Sequence, residues 1–359
     1  MNSSNPPSKV VLTIAGAREA NRRLAGVAAI ARIVRELSEA GVAEAWLELP
    51  PGESLEPAAM DDVHRLAGAM AVRIGKPAAG NEDIWPMPAD RLIPAQEIPA
   101  FAAGRPIAAG AAIQLDSPAA SAEILRRTGK TSDGPISRWL NRPVSRRLSA
   151  MLLRLPGFAP LHATAGTIVL ATAMFLALIA GGQPGLLAGG LLFQAASIFD
   201  GVDGEVARAT FRSSPAGAAL DTTVDTVTTL LFIGGLAANL GWNGQATAFA
   251  LAAWGLGLFL AGLALLGWRA AQSGQSLNLD RLKSQYRGRF SGPIGSRVMA
   301  FLTIVSSRDF FALLFAALIA LGYPMAPLYI FAAAATVWIP FVVVSALASR
   351  ETALSPEGA

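Results

Sequence analysis

The sequence predicts an all-α membrane bundle of six transmembrane helices, preceded by a soluble α/β domain. Three observations carry this. Of the 359 residues 53% are hydrophobic and only 15% charged, against about 25% charged in ordinary soluble domains. The apolar residues are unevenly placed: residues 1 to about 157 read as an Ala-rich soluble segment, and the rest alternates long apolar runs with short polar ones. Within the first segment, short β-branched runs alternate with amphipathic helical patterns, as in layered α/β domains.

The elements follow in order. Lys9-Val-Val-Leu-Thr-Ile14, bounded by Ala15-Gly16, reads as a buried strand. From Gly26 to Glu39, apolar residues at Val27, Ile30, Ile33, Val34 and Leu37 mark an amphipathic helix. Gly41 is placed to end it, and Ala45-Trp-Leu-Glu-Leu49 reads as a second strand. A helix near 57–70 and a strand at Ala71-Val-Arg-Ile74 complete a largely parallel layer. The N-terminus lacks a basic region followed by an apolar stretch, so no cleavable signal peptide is expected. Cysteine is absent, which excludes a disulfide framework and thiolate metal ligands.

Six apolar runs, near 163–181, 185–205, 216–240, 246–268, 309–322 and 326–348, approach the length of about 20 residues that crosses a bilayer. The fifth is short and extends backwards through Phe301-Leu-Thr-Ile-Val305. Arg138, Arg142, Arg146, Arg147 and Arg154 precede the first run, and Arg208 and Arg212 lie between the second and third. A further cluster from Arg269 to Arg308 separates the fourth from the fifth, whereas the connections near 182–184, 241–245 and 323–325 hold no Lys or Arg. This asymmetry predicts a multi-pass cell-membrane protein with both termini cytoplasmic. The same arginines account for a pI near 9.8, so no nucleic-acid partner is expected. The 138–154 stretch reads as a basic helix lying on membrane lipid.

The chemistry concentrates at the ends of the second and third runs. Asp200 and Asp203 share a helical face with Ala207, and Asp221 and Asp225 share one with Gly217. Carboxylates at the edge of an apolar span mark function by default. Capping of helix ends accounts for one or two such acids, not for four on two matched faces. Four acids brought together require neutralisation, which implies hard divalent cations.

The full spacing, D-x2-D-G-x2-A-R-x8-G-x3-D-x3-D, is filled by Asp200, Asp203, Gly204, Ala207, Arg208, Gly217, Asp221 and Asp225. It resembles the signature of the CDP-alcohol phosphotransferase family. The resemblance implies transfer of a phospho-alcohol from a CDP-alcohol donor to the hydroxyl of an acceptor alcohol, with release of CMP. It implies two divalent ions, Mg2+ or Mn2+, held by Asp200, Asp203, Asp221 and Asp225, with Asp225 also the proton acceptor. Nucleotide contacts fall to Asp200, Gly204, Ala207, Arg208, Gly217 and Asp221, and the active site faces the cytoplasm. A homodimer through the spans is expected from the family, with Gly181-Gly182, Gly189-Gly190 and Gly234-Gly235 permitting close helix approach there or within one protomer.

The segment from Lys130 to Ser145 and the Arg308-Asp309-Phe310 opening of the fifth run are similar to enzymes that fuse an inositol-phosphate cytidylyltransferase to a di-inositol-phosphate phosphate synthase. Such a likeness implies CDP-inositol as donor and inositol phosphate as acceptor. The alternatives are CDP-diacylglycerol or a lipid acceptor and, in another class, a cation-binding transporter. Arg142, Arg287, Arg289 and Arg297 are the candidates for the acceptor phosphate. Where the family often shows Pro-Asn-x-x-Thr before the first span, this chain has Pro160-Leu161-His162-Ala163-Thr164.

The soluble part, with Leu24-Ala-Gly26-Val, Arg32, Leu37 and Ala40-Gly41-Val42, is similar to sugar-phosphate nucleotidyltransferases. Its phosphate loop would be Ala15-Gly16-Ala17-Arg18-Glu19, poor in glycine and carrying a carboxylate where a triphosphate should lie. The expectation is a domain that keeps the fold and lacks the chemistry, with Glu82, Asp83 and Asp90 as the acids to inspect. The boundaries expected are an inactive α/β domain over 1–125, a linker and juxtamembrane helix over 126–158, the membrane domain over 159–350 and a tail over 351–359.

Overall fold

The computed structural model describes residues 6–77, 84–129, 134–273 and 308–354. They fall into two compact units, one of Met1–Thr131, Arg146–Pro160 and Val202–Ser213, the other of Ser132–Ser145, Leu161–Gly201 and Ser214–Ala359.

The first unit opens with β1 (Lys9–Thr13), α1 (Ala17–Asn21), β2 (Arg23–Leu24), β3 (Val27–Ala28), α2 (Ala29–Glu39), β4 (Glu44–Glu48), α3 (Pro57–Leu66), β5 (Ala71–Ile74) and β6 (Ile84–Pro88). Four of these strands make a wholly parallel sheet in the order β5-β4-β1-β6. β1 is central because Val10 and Leu12 are apolar on one face, and both are fully buried. α2 buries Ile30, Ile33, Val34 and Leu37, the residues whose spacing marks its apolar stripe. It starts at Ala29 rather than Gly26, because Val27–Ala28 pair antiparallel with β2 and Gly26 turns the chain at φ +84°. β6 contains Pro86 and Pro88, which argue against a strand in the interior of a sheet. It forms at the edge, where a missing N–H is tolerated. The unit continues through β7 (Arg91–Leu92), α4 (Ile98–Ala102), β8 (Ile113–Gln114) and α5 (Ala120–Arg127).

After α6 (Arg142–Leu152) come the long helices: α7 (Pro160–Ala180), α8 (Gly182–Ala209), α9 (Pro215–Trp242), α10 (Thr247–Ser273), α11 (Arg308–Ala320) and α12 (Ala326–Leu354). Five of them are long and apolar enough to cross a membrane, α7 to α10 and the Ala326–Val344 part of α12. α11, the expected fifth span, has 13 described residues, short of the length required. Its expected extension through 301–305 lies outside the described residues.

In the second unit Phe193, Phe232 and Phe315 stack, with ring centroids 4.0 and 5.9 Å apart, and so join α8, α9 and α11. Gly189 and Gly235 lie against Leu178 of α7, where an added Cβ would come within 2.4 and 3.0 Å of that side chain. These two glycines serve packing inside the chain. Asn239 is buried in α9 and donates through Nδ2 to the carbonyl of Leu178 at 2.7 Å and to that of Gly182 at 3.4 Å. With Asn239 1% exposed, its amide is satisfied by these carbonyls, and removing them would leave a buried polar group unpaired.

Candidate active site

Residues 210–214 join α8 to α9. Ser214 caps α9, its Oγ accepting from the Gly217 N–H at 3.0 Å with Pro215 in the first turn. The cap fixes where the helix begins, and hence that Asp221 and Asp225 share a face one turn apart. Asp200 on α8 meets them. Carboxylate oxygens of Asp200, Asp221 and Asp225 lie within 4.8 Å of one another, each residue half-buried.

A guanidinium enters this trio. Arg308, the first residue of α11, places Nη1 3.2 Å from Asp200 Oδ2 and forms an ion pair with Asp225. Its Nε and Nη2 are buried with no hydrogen-bond partner among the described residues. Three carboxylates this close demand positive charge, and here Arg308 supplies it. Their all-oxygen donor set suits hard divalent cations, so the residues fit the ions that the spacing implies.

Next to Arg308, Asp309 accepts a hydrogen bond from Ser197 Oγ at 2.8 Å. Ser197 in turn accepts from Asn141 Nδ2 at 3.3 Å, and Asn141 Oδ1 from Gln194 Nε2 at 3.0 Å. This chain of polar groups ties the start of α11 to α8 one turn before Asp200. Arg142 is buried and donates to the Gly201 carbonyl at 3.3 Å, and a Cβ on Gly201 would stand 2.8 Å from its Nη1. Sequence reasoning placed none of Gln194, Ser197, Asn141 or Arg308 at the acids, although Arg308 and Asn141 fall in stretches that carry the resemblance. The signal that would have found the first two is a polar side chain within an apolar run.

The remaining motif residues of α8 belong to the first unit. Asp203 is buried and is not a member of the trio. Arg208 donates Nε to the Thr128 carbonyl at 2.5 Å. A Cβ on Gly204 would lie 2.9 Å from Arg208 Nη1, so this glycine makes room for the guanidinium; Ala207 is half-buried on the next turn. A Cβ on Gly217 would come within 3.1 Å of Ser214 Oγ. Glu205, which the motif leaves unspecified, is fully buried and accepts from Ser149 Oγ at 2.7 Å. His162 is exposed in the first turn of α7. Arg287, Arg289, Arg297, Glu82 and Asp83 lie outside the described residues.

The α/β part has a cavity of about 260 Å³ where β1 and β6 end, lined by Ile14, Glu19, Pro88 and Asp90 among others. Chain order reverses at that point of the sheet, the usual place for a ligand in such folds. The loop before α1 is closed by a carboxylate of the chain itself, Glu53 accepting from the Ala17 N–H. Asp90 is gripped by Arg91 at 2.8 and 2.9 Å, and that hydrogen bond holds its carboxyl below the usual range.

Comparison with known proteins places the chemistry in a family. The sequence model of the CDP-alcohol phosphatidyltransferase family matches residues 159–344. Three curated relatives carry the name bifunctional IPC transferase and DIPP synthase. That of Aquifex aeolicus (strain VF5) is 45% identical over 108 residues, 30% of this chain and 24% of the relative. That of Rubrobacter xylanophilus is 38% identical over 159 residues, 44% of this chain and 33% of the relative. That of Thermococcus kodakarensis is 38% identical over 95 residues, 26% of this chain and 21% of the relative. The matched stretches thus span a third or less of the relatives' own length.

Proposed function

The chain belongs to the CDP-alcohol phosphatidyltransferase family, and on that premise we propose that it moves a phospho-alcohol from a CDP-alcohol to an acceptor hydroxyl, with CDP-inositol as donor and inositol phosphate as acceptor. The observation that carries this is the meeting of Asp200, Asp221 and Asp225, three motif acids from two helices, around the cationic Arg308. The names of the three relatives support the inositol substrates. A cation-binding transporter of the discontinuous-helix kind is disfavoured, because α8 and α9 run unbroken through their acids.

In the proposed reaction the acceptor oxygen attacks the phosphorus that bears the donor's alcohol. A P–O bond to the acceptor forms, the P–O bond to CMP breaks, and CMP leaves with the electron pair. Asp225 takes the hydroxyl proton, a role open to a half-buried carboxylate of the trio. Asp200, Asp221 and Asp225 would hold divalent metal, Mg2+ or Mn2+, and the motif assigns Asp203 to the same two-ion set. When bound, these ions supply charge neutralisation for the attacked phosphate and the departing oxygen. Arg208 pairs with a donor phosphate through a planar fork, with Gly204, Ala207 and Gly217 in the nucleotide contact. Arg142, Arg287, Arg289 and Arg297 are proposed for the acceptor phosphate.

We further propose a multi-pass cell-membrane protein with both termini and the acids cytoplasmic, working as a homodimer among lipids. Residues 1–125 act as an inactive nucleotidyltransferase-like domain, 126–158 as linker and juxtamembrane helix, 159–350 as the membrane domain and 351–359 as tail. The inactivity rests on Glu53 occupying the Ala17 N–H and on the acids Glu19 and Asp90 lining the cavity. The deciding experiment gives purified full-length protein CDP-inositol, inositol phosphate and Mn2+. CMP and an inositol phosphodiester should appear together by mass spectrometry, and their absence across a panel of CDP-alcohols would refute the assignment.

A further inference from the structure

The last turn of α8 closes in a way its residues do not invite. A helix that ends on a left-handed residue usually has glycine there. Here that residue is Phe211, at φ 56°. The reversal is complete: Arg212 N–H donates to the Ala207 carbonyl at 2.8 Å and Phe211 N–H to that of Arg208 at 3.3 Å.

The next two carbonyls are held by side chains of the α/β segment, in the same compact unit. Arg32 Nη2 donates to Ala209 O at 2.7 Å, and Arg65 Nη1 to Thr210 O at 3.0 Å. Arg32 is 2% exposed and also holds the carbonyls of Leu24 and Ala25 at 2.8 to 3.0 Å. The guanidinium carbons of Arg32 and Arg35 stand 5.4 and 5.5 Å from the centre of the Phe211 ring. Gly26 lets this loop approach, since a Cβ there would fall 2.7 Å from Leu153 and 3.1 Å from Thr210. Burial lowers the Arg32 pKa to about 10, which leaves it cationic at neutral pH. A cation at a helix C-terminus is favoured by the helix dipole.

Beyond its own two backbone bonds this end is held by five contacts: two arginines on carbonyls, two on a ring, and Thr128 on Arg208. We infer that Arg32, Arg65 and Phe211 are positioning residues for the transfer, setting the rotation and register of the helical turns that carry Asp203 and Arg208. The α/β segment then serves the reaction as a clamp on α8. The inference rests on the transferase reading above. Its reach is large, because a misplacement of about 1 Å in a reacting group can lower a rate by on the order of a hundredfold.

The test uses full-length protein in detergent, with Mn2+ affinity read from the free-ion paramagnetic resonance signal and kinetics from CMP release on CDP-inositol. Arg32→Met should weaken Mn2+ binding and raise the donor KM by roughly tenfold each, an amount typical of one lost orienting contact, and should leave the acceptor KM unchanged. Phe211→Gly is the second variant. Glycine suits the left-handed turn, so the melting temperature should not fall, yet the donor KM and Mn2+ affinity should shift in the same direction. Arg32→Lys should recover part of the loss, since it restores the charge without the fork. Unchanged Mn2+ affinity and donor KM in folded Phe211→Gly overturns the inference, as does an equal rise in both KM values. If Arg32→Met does not fold, Phe211→Gly decides alone. A parent protein that neither binds Mn2+ nor releases CMP refutes the transferase reading itself, and the clamp falls with it.

Discussion

Arg308 Nη1 lies 3.2 Å from Asp200 Oδ2, so a guanidinium from the start of α11 stands among carboxylates of α8 and α9. Asp309 beside it is bonded to Ser197 at 2.8 Å, which ties the backbone at that point to α8. The arginine is thereby aimed at the acids from a fixed base.

A divalent ion and Arg308 compete for the same negative charge. Arg308→Gln should therefore raise Mn2+ affinity several-fold and lower the melting temperature in chelator, with the loss reversed by Mn2+. Paramagnetic resonance titration and melting with and without chelator check both. Weaker Mn2+ binding would instead make Arg308 a partner of the metal-loaded state.

Asp225→Asn should lower turnover by about 10²–10⁴, the range for loss of a general base, while most metal affinity persists through Asp200 and Asp221. Asp203→Asn should weaken Mn2+ binding itself. CMP release and Mn2+ titration separate the two. Near-normal turnover in Asp225→Asn would move the base elsewhere.

The chain has no cysteine, so single cysteines report topology without background. Placed at Gln183 and Asn243, they should react with an impermeant maleimide in intact cells, because the arginine-free connections are expected outside. Labelling that needs permeabilisation would invert the topology.

Glu36 is half-buried and accepts from the Ala95 N–H at 2.8 Å; burial raises its pKa above the ordinary value despite Arg35 and Arg32 nearby. A carboxyl whose folded pKa is raised contributes stability below the unfolded pKa, and that contribution is lost as pH rises through the folded one. Glu36→Gln keeps an acceptor for Ala95 and removes the buried charge. It should raise the melting temperature at pH 7.5 and leave it nearly unchanged at pH 4. Equal shifts at both would show that charge is not the cause.

Full-length protein given CTP and an alcohol phosphate should release no pyrophosphate, since Glu53 already holds the Ala17 N–H. Pyrophosphate release that survives Asp225→Asn and disappears in Asp90→Asn would make the cavity a working site.

The parallel sheet was legible because the short apolar run at Val10-Val11-Leu12, bounded by Ala15-Gly16, and the 3.6-residue stripe of α2 are local signals. β6 was not, because Pro86 and Pro88 contradict a strand until its edge position is known. The site was legible in part: spacing put four acids on two helical faces, and Asp200, Asp221 and Asp225 do lie together, whereas Asp203 is not among them. Arg308 is distant in sequence, and nothing local says that the start of α11 comes back to α8. Ser197, Asn141 and Gln194, which hold the neighbouring Asp309, each look like one polar residue at an ordinary place, and only packing turns them into a network. The clamp on α8 was hidden for the same reason, because Phe211 reads as an ordinary loop aromatic.

Asn239 carries a mechanical consequence. It fastens α9 to the α7–α8 turn through two carbonyls, 14 residues along the same helix from Asp225. At about 1.5 Å per residue that fastening lies some 21 Å from the carboxylate. Sliding of α9 along α7 and α8 would break both bonds. A small angular change between α8 and α9 about that fastening would be felt most at the acids, like tongs about a rivet. For the proposed transfer, any such spreading would have to break the Arg308 contacts to Asp200 and Asp225, which makes that arginine the latch opposite the rivet.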